Sequence, residues 1–266
     1  MFESVKKLFS SQHRQGKTGR CCCFHFGRCG STLLGNMLDR HSKISWGGEL
    51  FHALHEPAQP DTAIRGPEDA LSLLDQALQH CRSPWYGFET KFQHLDPNGL
   101  NKGLEEFIAH LRERGFHYFI LLKRKNYLRQ AISVARGQQT RQWHFQTGNP
   151  SPGVRAVSLD PERLGLGGTD REMIECFQFL DQTYLEAEAT LNAHHCNWIQ
   201  LEYETDLESD PRRGFQKVAS FLGLDPETPD ACLQKIGGQP LAEMLDNLDA
   251  VSNRLTGTAY QWMLHE

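Results

Sequence analysis

The residues Phe26-Gly27-Arg28-Cys29-Gly30-Ser31-Thr32-Leu33-Leu34 follow directly on the apolar run 21–26. A buried strand that runs into Gly, a cation, Gly, Ser and Thr and then into an apolar-periodic segment reads as strand, turn and helix start. Such a turn aims several backbone N–H groups, two hydroxyls and the positive end of a helix dipole at one point, which suits a phosphate. A Walker A loop would place a lysine after its last glycine, but here Gly30 is followed by Ser31. A loop without that lysine fits a nucleotide whose transferred group is not a phosphoryl clamped by Mg²⁺.

Two further strand ends carry polar chemistry. Leu121-Leu122-Lys123-Arg124-Lys125-Asn126 sets cations and an Asn just past a continuous apolar run, and Ser133 follows two turns into the next helical segment. Leu201-Glu202-Tyr203-Glu204-Thr205-Asp206-Leu207 offers Tyr203 for stacking or hydrogen bonding at the sheet edge. In an open parallel sheet, ligands bind beyond the carboxyl ends of the strands. Two cationic sites on separate strand ends therefore imply one ligand with two separated phosphates.

The elements that must position these residues alternate along the chain. After the loop, 33–39 reads as a helix; 44–51 is short and rich in turns through Gly47-Gly48, and places Glu49 downstream. The spacing predicts helices over 68–81, 104–114 (stopped by Gly115), 126–136 (capped by Asn126), 169–194 and 211–222 (stopped by Gly223). Strands are expected over 86–92, 116–122 and 198–202; the unbroken apolar run of the second marks a central parallel strand. Residues 142–168 are rich in Gly, Pro and Ser, too long for a connector, and fit a lid or acceptor loop in which Trp143 and His144 could stack on a sugar ring. From Asp225 onward the pattern is irregular. The expectation is a single α/β domain over 20–266, a mostly parallel central sheet flanked by helices, preceded by an extension over 1–19.

Composition narrows the partners. A formal net charge of −5 argues against general nucleic-acid binding, so any basic function is local, as at Arg28 or Lys123-Arg124-Lys125. No run has the length of a transmembrane helix and no apolar leader follows the start. Residues 1–9 are faintly amphipathic and suit a frayed helix or a weak membrane contact. Cys21, Cys22, Cys23 and Cys29 crowd around His25, but strand neighbours point to opposite faces, so they read as small buried residues rather than ligands of one ion. The scattered remaining cysteines fit a reduced, cytoplasmic chain.

Taken together, these motifs resemble the sulfotransferases that use 3′-phosphoadenosine-5′-phosphosulfate (PAPS), in particular the bacterial trehalose and Nod-factor enzymes. The stretch 26–34 is similar to their 5′-phosphosulfate loop. Arg124-Lys125-Asn126-Tyr127-Leu128-Arg129-Gln130-Ala131-Ile132-Ser133 is similar to their 3′-phosphate element, with Lys125 a rival to Arg124. The Tyr203 segment, then Asp210-Pro211 and Phe221-Leu222-Gly223-Leu224, matches the close of the family domain; Arg136, Gln139-Thr140 and Trp143 add to the likeness. The resemblance implies donor contacts from Arg28, Cys29, Gly30, Ser31, Thr32, Leu33, Arg124, Ser133 and Tyr203. It implies PAP as product, a sugar or other alcohol as acceptor, and a P-loop-like phosphosulfate loop. Sulfuryl transfer requires no metal, in keeping with the missing Walker lysine.

Arg28 would offset charge on the departing 5′-phosphate. For the base, Glu49 matches the carboxylate of the trehalose-type enzymes and His94 is similar to the strand-borne His of the cytosolic ones; Glu49 is preferred. A free Glu titrates near 4.3, so Glu49 would need partial burial to act as a useful base near pH 7. His52 reads as an acceptor contact or a surface His, and Lys91 as a contact for a sulfuryl oxygen. Arg254 either closes over the 3′-phosphate or forms an exposed salt bridge. The alternatives are sulfation of a small-metabolite alcohol, a P-loop kinase, disfavoured by the missing lysine, and a non-catalytic nucleotide-binding protein.

Overall fold

The computed structural model describes residues 18–52, 67–95, 103–141, 156–225, 227 and 239–265. The readings made above on 1–9, on Trp143 and His144, and on Cys232 lie outside these residues. Five parallel strands form the central sheet: β1 Gly19–His25, β2 Ile44–Glu49, β3 Trp85–Lys91, β4 Phe116–Lys123 and, after a two-stranded hairpin (β5 and β6), β7 Asn197–Glu202. Their spatial order is β2-β3-β1-β4-β7, every neighbouring pair parallel. The chain thus leaves β1 toward β3 and β2 on one side, and later returns to β4 and β7 on the other. The carboxyl end of β1 is the switch point of the sheet, where such folds open a crevice.

Helices α1 Ser31–Asp39, α2 Pro67–His80, α3 Leu104–Glu113, α4 Tyr127–Thr140, α5 Met173–Ala193 and α6 Pro211–Leu222 flank the sheet. Both faces are buried, and period-2 alternation divides the strands between two cores. Cys22, Phe24, Phe26, Phe88, Phe119 and Leu121 pack on the face that also takes Phe107, Leu128 and Phe177. Cys21, Cys23, Trp85, Ile120 and Leu122 pack on the other, against Leu34 and Leu38 of α1 and Phe215 and Val218 of α6. The cysteine cluster is divided as the strand pitch requires, and burial pushes the Cys21 thiol up to about 12. All seven cysteines among the described residues are free.

Most expected elements lie within a few residues of their observed bounds. The helix expected from Thr169 is the main exception. Residues 169–171 are instead strand β6 Thr169–Arg171, paired antiparallel with β5 Leu164–Leu166. Gly167 and Gly168, both at positive φ, make the two-residue turn between them. Helix α5 starts after Glu172, whose carboxylate accepts from the N–H groups of Ile174 and Glu175. The segment after residue 238 is also more regular than its pattern suggests, with α7 Leu241–Met244, α8 Leu248–Leu255 and a 3₁₀ turn Gln261–Leu264. It braces the far end of β4: Asn126 Nδ2 donates to the carbonyl of Met263, and Tyr260 donates to Asp181. No helix among the described residues is long and apolar enough to cross a membrane.

Candidate functional site

The loop after β1 begins at the switch point. Arg28 has φ of 66° and Gly30 φ of 87°, a pair of left-handed residues that turns the chain sharply into α1. Only glycine suits position 30: a Cβ there would lie 2.8 Å from the ring of Tyr203. Gly30 is also the N-cap of α1 and offers no capping side chain, and no acidic residue stands in the first turn. The opening N–H groups of Ser31, Thr32 and Leu33 therefore lack an internal side-chain acceptor and leave the positive helix end for an anion.

Arg28 and Arg124 come together at this loop. Arg28 Nε donates to Ser133 Oγ at 2.9 Å, and Arg124 Nη1 donates to the Arg28 carbonyl at 3.2 Å. Gln130, from the same helix as Ser133, donates to the Gly27 carbonyl at 2.6 Å. The two cationic sites that the sequence places on separate strand ends are thus one continuous cluster. Burial lowers the basicity of Arg28, and the neighbouring Arg124 charge lowers it further. Arg124 is 7% exposed and is likewise weakened by burial. Its Nε is buried without a hydrogen-bond partner, with Glu204 Oε1 standing off at 3.9 Å. Two guanidiniums held together at the cost of their own charge, one with an unmet donor, fit an anion of more than one charge.

The neighbouring lysines do not join them. Lys123 Nζ pairs with Asp181 at 2.8 Å, and Lys125 Nζ turns out to Glu202 at 2.7 Å, which favours Arg124 over its rival. Arg254 is in an ion pair with Glu172, the salt-bridge alternative of the two read from the sequence.

Tyr203 and Glu204 begin a single π-helical turn, Tyr203–Leu207, directly after β7. The Arg124 guanidinium lies over the Tyr203 ring at 4.5 Å, and the edge of that ring abuts Gly30. The Glu204 carboxylate accepts from the backbone N–H groups of Lys125 and Asn126, both at 3.0 Å. One irregular turn thereby fixes both loops, as π-turns at functional sites do. Neither Glu204 nor Gln130 was singled out in the sequence; their partners are fixed by strand order, which no local pattern displays.

On the other side of β1 a second cluster forms. Glu49 ends β2, and its Cα stands in register with Glu89 of β3; His25 of β1 stands in register with Lys91 of β3. Lys91 Nζ lies 2.6 Å from Glu49 Oε2, and His52 Nδ1 lies 3.7 Å from the same oxygen. His25 Nε2 is 3.3 Å from Glu89 Oε2, both side chains buried. Burial would raise the Glu49 carboxyl, but Lys91, with His25 and His52 behind it, outweighs burial and holds it below its ordinary value. Glu49 is thus partly buried, as a useful base would need to be, yet its carboxyl is lowered rather than raised, because Lys91 together with His25 and His52 outweighs desolvation. Lys91 is accordingly placed on Glu49.

Donor atoms of His25, Glu49 and Glu89 fall within 4.8 Å of one another. The Lys91 ammonium already pairs with one of the two carboxylates, Glu49. His94 is buried; its Nδ1 lies 3.4 Å from Thr90 Oγ1 and accepts from the Lys91 N–H at 3.4 Å, bonds that close its own strand end.

A family model described as Stf0 sulphotransferase matches residues 87–246. No curated protein matches. Among solved structures, a sulfotransferase from Alicyclobacillus acidocaldarius is similar at 14% identity and a TM-score of 0.47, over 93% of this chain and 96% of that one.

Proposed function

The chain belongs to the Stf0 sulphotransferase family, and from that premise we propose that it moves the sulfuryl group of PAPS to an acceptor hydroxyl, on a carbohydrate or glycolipid. The observation that carries the donor assignment is the Arg28–Arg124 pair joined through Ser133 at the switch point, with a buried Arg124 donor left unmet. In this reading Arg28 and the N–H groups from Cys29 to Leu33 hold the 5′-phosphosulfate. Arg124 and Ser133 hold the 3′-phosphate, and Tyr203 supports Arg124 from beneath. One domain over 20–266 carries the activity.

PAPS supplies the sulfuryl group as co-substrate. The acceptor oxygen bonds to sulfur as the bond from sulfur to the 5′-phosphate oxygen breaks, and the acceptor proton passes to Glu49. Charge on the departing phosphate grows next to Arg28 and the start of α1, fixed donors that need no reorganisation. Glu49 is ionised at neutral pH and a weak base, which suffices because transfer itself drains charge from the acceptor oxygen. Lys91 holds the carboxylate in place. The bonds of His94 to its own strand end support Glu49 over His94 as the base.

The test is transfer of isotope-labelled sulfate from PAPS to extracts of sugars, glycolipids and small alcohols, read by mass spectrometry, beside thermal shifts with PAP and ATP. A product heavier by one sulfate and a melting point raised by PAP are expected. Stabilisation by ATP with no response to PAP would move the chain to the kinase reading. PAP binding with no product over the whole acceptor panel would support a non-catalytic nucleotide-binding protein.

A further inference from the structure

A buried His–Glu pair stands beside the proposed base and takes no part in the chemistry outlined above. His25 Nδ1 donates to the Phe26 carbonyl at 3.0 Å, and Nε2 stands 3.3 Å from Glu89 Oε2, at ion-pair distance, with neither that nitrogen nor that oxygen in a hydrogen bond. Since Nδ1 must carry a proton to donate to that carbonyl, a proton on Nε2 as well makes the ring an imidazolium paired to Glu89. Buried ion pairs add little stability over apolar residues of similar size, so the pair calls for another reason at this place. Its position supplies one. His25, Glu89 and Glu49 converge from β1, β3 and β2 to within 4.8 Å, with Lys91 on Glu49. Two carboxylates this close disfavour each other's charge, and the groups at hand to offset it are Lys91 and, when protonated, His25.

Resting on the reading of Glu49 as base, we infer that His25 is a positioning residue for Glu49: its charge, held by Glu89, keeps the Glu49 carboxylate open to the acceptor proton and sets the acid limit of turnover. The other groups facing this cluster are His52 beyond β2, Cys29 against His25, and Arg28 from the loop. The direction of titration agrees. Burial works against the His25 charge, but Cys29 and Glu89 outweigh it and raise His25 well above the imidazole range.

The sign follows from the count of charges. With His25 neutralised, Glu49 and Glu89 share one cation, so one carboxylate keeps its proton to higher pH. His25→Gln is expected to move the acid limb of kcat/KM upward by about one pH unit. At the alkaline plateau, turnover and PAP affinity should stay within about twofold of wild type. His25→Gln with Glu89→Gln removes one charge of each sign and should bring the limb back.

A ¹³C NMR titration of the Glu49 carboxyl carbon in the PAP-saturated protein gives the same comparison without turnover. It therefore separates failure of this inference from failure of the sulfotransferase reading. If His25→Gln does not fold, the pair of wild type and double variant, both charge-balanced, should show the same Glu49 midpoint, while Glu89→Gln alone should show a lower one. A Glu49 midpoint unchanged in His25→Gln, with only a lower melting temperature, would overturn the inference and make the pair merely structural.

Discussion

The two sides of β1 meet the same problem, several charges near the end of a parallel sheet, with opposite solutions. Toward β4 and β7, Arg28 and Arg124 are set against each other with an incomplete set of acceptors, and Glu204 spends its oxygens on backbone N–H groups rather than on Arg124. Toward β3 and β2, two carboxylates stand against an ammonium and, in the reading inferred above, an imidazolium. The first side leaves a buried Arg124 donor unmet, where an external anion can bind. With that imidazolium the second side is balanced, so adding one proton to Glu49 changes it by a single charge. The difference separates binding from proton transfer across one strand, and it makes the two sides separable by mutation.

The sharpest division is expected from Glu49→Gln. Removing the base should cut turnover on the order of 10²-fold or more while PAP affinity, measured by calorimetry, stays nearly intact. Equal loss of affinity would show that Glu49 belongs to the binding side. Full turnover in Glu49→Gln together with an inactive His94→Ala would return the base to His94. Arg124→Ala tests the other side. Each charge-assisted hydrogen bond lost costs about 1.5–3 kcal/mol, so PAP affinity should fall tenfold or more. The acid limit of turnover, governed from across β1, should not move; a displaced limb would mean that the two clusters are not separate.

This division was only half legible in the sequence. The binding side announced itself because its signals are local: a Gly-cation-Gly-Ser-Thr turn after an apolar run, and Arg124 and Ser133 at a fixed spacing across one strand end and one helix. The central strands were legible for the same reason, since burial on both faces removes polar residues from β4. The proton side was not. His25 belonged to a crowd of cysteines, and its partner Glu89 sits in an alternating strand where a charged residue reads as solvated. Only the adjacency of β1 and β3, and the parallel register that sets Glu49 beside Glu89, turn three scattered residues into a cluster. Thr169–Arg171 failed differently: Gly167-Gly168 is a hairpin signal, but the flanking runs are three residues long and the helical periodicity that follows overran them.

The smallest effect is expected where the comparison is finest, at Ser133. Its hydroxyl accepts from Arg28 Nε and holds that side chain in the cluster, a single bond between a cation and a neutral oxygen. Ser133→Ala removes both the acceptor of Arg28 Nε and the hydroxyl proposed to hold the 3′-phosphate, so the loss is about 1–1.4 kcal/mol, or roughly five- to tenfold in PAP affinity. Ser133→Thr keeps an acceptor at the same place and should recover most of it. Because Ser133 stands wholly on the binding side, turnover at saturating PAPS should change by less than the affinity does. A variant that slowed saturated turnover while leaving PAP affinity untouched would show that Ser133 acts through Arg28 on the departing phosphate and so stands on the side of the chemistry. The boundary drawn along β1 would then have to be moved.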